Sequence, residues 1–325
     1  MDQDRSKSSL SARVLEGDIQ AIARLLTRVE NDDEVGRAAL DLLLPHIGSA
    51  HTIGVTGPPG GGKSTLVNEL IRDYRAKGNR VAVIAIDPSS PLTGGATLGD
   101  RIRMTEWHAD PGVFIRSMAS RRFGGGLAQN TLAAATVLDA AGFDPIVIET
   151  VGTGQDEVAI AQLAWTTILV QSPGMGDSVQ SLKAGALEIG DIVVVAKADR
   201  PGSNELARDL RRLHTLTFDG SPATIGWQAP VVKTSSVNRE GIGNLATAIA
   251  EHRKWLESSG ELAIRQRQIA AAQLSARIEH DLMDQLTQPT RHNLFATMVD
   301  EILARAITPH RASELFLALL AHEQS

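Results

Sequence analysis

Nine consecutive residues, Gly57-Pro58-Pro59-Gly60-Gly61-Gly62-Lys63-Ser64-Thr65, have the types and spacing to cradle the phosphates of a nucleoside triphosphate. They match the pattern G-x-x-x-x-G-K-[ST] without a departure. Glycines let backbone N–H groups converge on an anion, and a helix starting at the loop's end adds the positive pole of its dipole. Lys63 then reaches the β- and γ-phosphates, and Ser64 places a hydroxyl on Mg²⁺. The flanks agree. The apolar run Thr52-Ile53-Gly54-Val55-Thr56 predicts a buried strand, and Leu66 to Ile71 predicts a helix.

Further segments could complete such a site. Asp87-Pro88-Ser89-Ser90 follows a second apolar run. An acid at a strand tip can bind Mg²⁺ directly or through its waters, although Asp-Pro is also a common turn. The stretch Leu92 to Arg103 is glycine-rich and polar, and its Asp100 is a candidate magnesium or water-positioning group. A helix cap is the competing reading there. Glu149-Thr150-Val151-Gly152-Thr153-Gly154-Gln155 has the acid-x-x-Gly form of a switch. Glu149 would hold Mg²⁺ or one of its waters, and the Gly152 N–H could sense a γ-phosphate. Gln155 is a candidate for orienting water.

Ala196-Lys197-Ala198-Asp199 resembles the guanine signature Asn-Lys-x-Asp, with Ala in place of Asn. Asp199 offers a carboxylate to the N1–H and amino group of guanine, a donor pair that adenine lacks. Such charge-assisted bonds contribute roughly 1.5–3 kcal/mol each. Lys197 would lay its methylene stem along the base. Ser235-Ser236-Val237, after Thr234, resembles the short backbone loop that touches guanine O6.

Positioning these groups calls for strands whose ends meet on one edge. Short β-branched runs at 52–56, 80–86, 112–116, 145–149, 167–171 and 191–196 alternate with helical stretches. That pattern predicts a doubly wound α/β fold with a mostly parallel sheet covered on both faces. Right-handed crossovers then bring the strands' C-terminal ends to one edge, where ligands bind. Apolar spacing predicts a helix over Leu10 to Val29 and another over Asp33 to Leu44. Helices are expected at 261–288, 290–307 and 311–322, broken at Pro289 and Pro309. The expected organisation is a helical N-terminal element (1–48), a P-loop nucleotide domain (49–259) and a C-terminal helical extension (260–325). The apolar residues of that extension must be buried on the core domain or on another subunit.

Composition narrows the function classes. A net charge of −6 over 325 residues argues against a general nucleic-acid or anionic-membrane binder. With no cysteine, disulfides, zinc-thiolate sites and thiol catalysis are excluded. The nine histidines show no ligand spacing. The polar stretch Met1 to Arg13 lacks a signal peptide's apolar core, and no apolar run approaches the roughly 20 residues of a membrane span. A cytoplasmic protein is expected.

Taken together, the segments resemble the family of methylmalonyl-CoA mutase-associated GTPase chaperones, which includes MeaB and ArgK. The resemblance rests on Gly54 to Pro59 with the loop, Ile86 to Ser90, Gly99 to Met104, Glu149 to Gly152 with Gly154-Gln155, and Trp227 with Val232 to Ser235. It extends from about residue 17 to past residue 285. It implies that Gly57 to Thr65, Asp199 and Ser235 to Val237 bind GTP and GDP, and that Ser64, Asp87, Asp100 and Glu149 surround Mg²⁺. Gly176 to Lys183 resembles the family's third switch, a loop that contacts the mutase and makes hydrolysis respond to it, with Lys183 matching its lysine. The implied function is a GTPase chaperone of an adenosylcobalamin-dependent acyl-CoA mutase, with slow intrinsic turnover and a homodimer built through the C-terminal helices. Two departures stand out: Ala196 replaces the family's Asn, and Ser120-Arg121-Arg122-Phe123 replaces its Thr-Arg-Gly-His run. Other readings are a metallochaperone GTPase, a P-loop kinase and a non-enzymatic nucleotide sensor. The first is disfavoured by the lack of a Cys or His cluster.

Overall fold

The computed structural model describes residues 10–88, 101–120, 126–150, 160–174, 189–217, 226–287 and 289–322. Its centre is a seven-stranded sheet in the order β3-β2-β4-β1-β5-β6-β7, every pair parallel. The strands are β1 (Thr52–Thr56), β2 (Val81–Pro88), β3 (Val113–Ser120), β4 (Ile146–Thr150), β5 (Thr166–Gln171), β6 (Ile192–Val195) and β7 (Val231–Lys233). The expected doubly wound parallel sheet is therefore present. β7 was visible in the sequence only as a short run before Thr234. It is an edge strand, half-buried along its length.

Alternation along the strands sends side chains to opposite faces. Ile146 and Ile148 of β4, with Ala82 and Ile84 of β2, join α1 (Ile19–Glu30) and α4 (Gly126–Ala140) on one face. Val147 and Val83 point the other way, to Leu66 and Leu70 of α3 (Lys63–Ala76) and Leu245 and Ile249 of α6 (Ile242–Ser259). Leu206 and Leu210 of α5 (Ser203–Thr217) cover Leu169, Val193 and Val195. With helices on both faces, the strands can be apolar throughout, as their sequences are.

Because all strands run one way, their C-terminal ends share an edge. β1 leads into Gly57, β2 ends at Asp87-Pro88, β4 at Glu149-Thr150, β6 leads into Ala196, and β7 into Thr234. Register aligns these ends: Glu149 lies opposite Val55, Thr150 opposite Ile86, and Val195 opposite both Gln171 and Lys233.

The N-terminal helix expected over Leu10 to Val29 is divided. Residues 10–15 are helical, the chain turns, and α1 begins at Ile19. Gly17 adopts φ +77°, and the Asp18 carboxylate caps α1 by accepting from Gln20 N at 2.8 Å and Ala21 N at 3.1 Å. A side-chain cap satisfies N–H groups that the first turn leaves without partners. α2 (Glu34–Leu43) is capped in the same way by Asp33, whose carboxylate accepts from Gly36 N at 2.6 Å.

The C-terminal helices are α7 (Glu261–Thr287), α8 (Pro289–Leu303) and α9 (Pro309–His322). Pro289 and Pro309 each open a helix, where the missing N–H has no intrahelical partner to lose. The described residues divide into two compact units within α7, one reaching Gln273 and the other starting at Leu274. In the second, Met298, Ala312 and Phe316 form a small core. No helix among the described residues is long and apolar enough to cross a membrane.

Two of the nine histidines are structural. His51, just before β1, lies 2.7 Å through Nε2 from Thr166 Oγ1, which lies 2.8 Å from His252 Nδ1 on α6. Asp191 stands 3.4 Å from His252 Nε2 and pairs with Arg265, while Trp227 and Trp255 pack on the His252 ring. Burial pushes His51 down to about 3, helped by the charge of Arg253. Burial likewise pushes His252 down to about 4, against the pull of Asp191.

Both rings are thus neutral in the fold, whereas in the unfolded chain they take up protons near pH 6.5. Stability from these groups is complete above pH 6.5 and lost as pH falls toward 4. By pH 5 the loss is expected to be about 2 kcal/mol for each histidine. Urea-unfolding midpoints at pH 7, 6 and 5 measure it. Coincident midpoints at pH 7 and 5 would show that these rings are not held neutral.

Candidate functional site

β1 delivers the chain to Gly57 with φ +140°, and a Cβ there would stand 2.1 Å from the Val170 carbonyl oxygen of β5. Only glycine can let the loop leave the sheet so close to its neighbour. The loop tightens where Gly61 N donates to Pro58 O at 3.1 Å, and Gly62 (φ +101°) turns the chain into α3. The first residues of α3 are Lys63 and Ser64, so that helix directs its free N–H groups and positive pole into the loop.

Both side chains are buried, 6% and 8% exposed, and turned inward. The Lys63 amine donates to Gly57 O at 2.7 Å and Pro58 O at 3.1 Å, placing a cation inside the loop. Ser64 Oγ donates to Glu149 Oε1 at 2.6 Å. Glu149 is 3% exposed at the end of β4, and one residue on Thr150 Oγ1 donates to Thr56 Oγ1 of β1 at 3.0 Å. One side-chain hydrogen bond therefore ties the phosphate-type loop to β4, the strand carrying the acid-x-x-Gly segment, and a second ties β4 to the end of β1 that leads into the loop. The sequence placed Ser64 and Glu149 around one Mg²⁺ without their mutual contact, and the pairing of Thr56 with Thr150 was missed. A threonine ending each of two runs was the available signal, and it is too common to read alone.

At the far side, Lys197 adopts φ +53°. Its amine donates to Gly60 O at 2.6 Å, tying the segment after β6 to the loop after β1. Ser235 Oγ, fully buried after β7, donates to Asp199 Oδ1 at 2.6 Å and accepts from Asn238 N at 3.3 Å. The Ser235 hydroxyl, then Asp199's own backbone N–H, hold this carboxyl below its ordinary value. It stands ionised as a pure acceptor at the surface. Ser236 is half-buried, and Val237 is among the most exposed apolar side chains, at 85%. The structure thus joins Ser235 to Asp199, and Lys197 to the phosphate-type loop, contacts between segments that the sequence offered as separate pieces.

Oxygen donors from Ser64 and Glu149 suit a hard cation such as Mg²⁺. Asp87 ends β2 beside β4, but its side chain lies outside the described residues, as do Asp100, Gly152, Gln155 and Lys183. Residues 121–123 lie outside them too. Among the described residues, no group of three His, Asp or Glu side chains is placed to hold a metal ion.

The geometry combines a cationic phosphate-type loop, a hydroxyl–carboxylate pair at its helix start and an ionised acceptor at the other end of the same edge. Comparison with known proteins agrees. Residues 22–291 match the family described as methylmalonyl Co-A mutase-associated GTPase MeaB. The chain is 44% identical over 308 residues, 95% of each chain, to a protein of Pyrococcus abyssi named as a GTPase. It is 33% identical over 284 residues, 84% of each chain, to GTPase ArgK of Escherichia coli. It is also similar to the mouse mitochondrial methylmalonic aciduria type A homolog, 32% identical over 270 residues that cover 82% of this chain and 64% of that one. Among solved structures, an LAO/AO transport system kinase shares the fold with a TM-score of 0.72, covering 98% of each chain at 24% identity.

Proposed function

This chain belongs to the methylmalonyl-CoA mutase-associated GTPase MeaB family, and from that premise we propose that it is a GTP-hydrolysing chaperone of an adenosylcobalamin-dependent acyl-CoA mutase. The observation that carries the nucleotide half of this reading is the shared sheet edge. Lys63, Ser64–Glu149 and Ser235–Asp199 converge there, bridged by the 2.6 Å contact of Lys197 with Gly60. The family and the mouse relative's name support the mutase half.

In this reading Gly57 to Thr65 wrap the phosphates and Lys63 turns its ammonium to the β- and γ-oxygens. Asp199 accepts from N1–H and the amino group of guanine, and Ser235 to Val237 face O6. Ser64, Glu149, Asp87 and Asp100 hold Mg²⁺, which offsets the charge of the β- and γ-phosphates when bound. Water attacks the γ-phosphorus, the bond to the β,γ-bridging oxygen breaks, and GDP and phosphate leave. The chain's share is positioning and electrostatics: the Lys63 cation and the loop N–H groups stabilise charge on the transferring phosphoryl group. The Gly152 N–H is assigned to register loss of the γ-phosphate and Gln155 to orient the attacking water, both on the acid-x-x-Gly pattern of the sequence. Lys183 belongs to the loop assigned to mutase contact. Its ordering by the partner would couple hydrolysis to cofactor loading or protection of the mutase.

The C-terminal helices suit a homodimer. Leu282, Met283, Phe295, Val299 and Leu317 are between 38% and 53% exposed and line a groove of about 330 Å³. A second copy of this chain is the occupant proposed for it.

Association tests the mutase half. The full chain, mixed with each of methylmalonyl-, isobutyryl-, ethylmalonyl- and hydroxyisobutyryl-CoA mutases, is expected to co-elute with one of them in a nucleotide-dependent way. Failure with all four would remove the chaperone assignment and leave the GTPase.

A further inference from the structure

We infer that this protein reads its purine on one edge only: Asp199 meets the Watson–Crick edge, and N7 on the imidazole edge receives no donor from the segment after β6. The inference rests on the GTP reading above and specifies how that site discriminates.

A purine triphosphate with phosphates at Gly57 to Thr65 and its Watson–Crick edge at Asp199 must bridge the two. The imidazole half, which carries the sugar, then lies on the phosphate side. The residues on that side are Ala196 and Lys197. A Cβ on Gly62 of the loop would stand 3.7 Å from the Ala196 Cβ and 3.8 Å from Lys197 Cε.

The side-chain donors that this segment could offer N7 are committed or missing, and the backbone N–H groups of Ala196 and Ala198 are committed as well. Ala196 has only a methyl, 5% exposed and packed in the core with Ile192, Val194 and Ile242. Its N–H donates to Gln171 O at 2.7 Å, and the Ala198 N–H donates to Thr234 O at 2.9 Å. The Lys197 amine is held at Gly60 O, 2.6 Å away. An asparagine at position 196 would supply an amide donor there, as in the common signature. With alanine, base recognition falls on Asp199 and the Ser235 loop, and the tie to the phosphate loop falls on Lys197 alone.

Base analogues separate the edges without altering the protein. In 7-deaza-GDP a C–H replaces N7, and IDP lacks the amino group that Asp199 accepts from. Competition against labelled GDP on the full wild-type chain is expected to place 7-deaza-GDP within about twofold of GDP, since no hydrogen bond is lost. IDP is expected to bind about tenfold or more weakly, the effect of one charge-assisted bond. Weakening of 7-deaza-GDP by about fivefold or more, with IDP also weak, would overturn the inference and leave the GTP reading standing. Equal binding of GDP, IDP and ADP would instead overturn the GTP reading and the inference with it.

The variant Ala196→Asn is expected to tighten GDP about three- to tenfold and leave 7-deaza-GDP unchanged. Equal tightening of both, or of neither in a folded variant, would contradict the assignment. Should the buried amide prevent folding, the wild-type analogue series decides.

Discussion

Replacing Lys63 with alanine is expected to lower kcat for GTP hydrolysis by about 10²–10³-fold, the effect of removing one preorganised charge from a phosphoryl or oxyanion site. The amine already lies inside the loop, bonded to Gly57 O and Pro58 O, so it needs no large movement to reach a phosphate. It is 6% exposed, which strengthens its field relative to a solvated lysine. A purely structural lysine would act differently, because its loss would lower the unfolding midpoint while folded protein kept its turnover. Single-turnover hydrolysis in Lys63→Ala and Lys63→Met, each checked for a native melting profile, separates the two. Retention of turnover within about threefold of wild type in a folded variant would exclude Lys63 from the chemistry.

The second large effect is an exchange of substrate. Asp199→Asn is expected to weaken GTP about 10²-fold or more, because two charge-assisted bonds to N1–H and the amino group are lost. The same change is expected to favour XTP, whose C2 carbonyl can accept from the new amide while N1–H still donates to the amide oxygen. The fold should tolerate it, since the Ser235 hydroxyl that now donates to Asp199 at 2.6 Å can donate to an amide oxygen. Competition with GTP, XTP and ATP reads the outcome. Unchanged GTP preference in the variant would mean that Asp199 does not face the base.

Much of this arrangement was legible in the sequence because local chemistry dictates it. The loop Gly57 to Thr65 declares itself by composition, and Gly57 is required by a carbonyl 2.1 Å from where its Cβ would be. The strands β1, β2, β4, β5 and β6 declare themselves as apolar, β-branched runs because both faces of the sheet are covered. What was hidden depends on tertiary placement. The Lys197 tie to Gly60 needs a non-glycine residue at φ +53°, which no local pattern announces. Ser235 and Asp199 are 36 residues apart and meet only because β6 and β7 pair. The break before α1 was masked because residues on both sides of Gly17 keep helical apolar spacing. The half-buried run Val231 to Lys233 is too short to be read as a strand without its neighbour. Asp100, Gly152, Gln155 and Lys183 rest on sequence and family resemblance alone.

The central claim is a GTP switch whose hydrolysis answers to a mutase. The most direct measurement is steady-state GTP turnover by the full chain, alone and with each of the four acyl-CoA mutases, with ATP as the control nucleotide. Slow turnover alone, stimulation of about tenfold or more by one mutase and no comparable ATP turnover is the predicted result. Turnover of GTP that none of the four active mutases changes, or equal turnover of GTP and ATP, would contradict it.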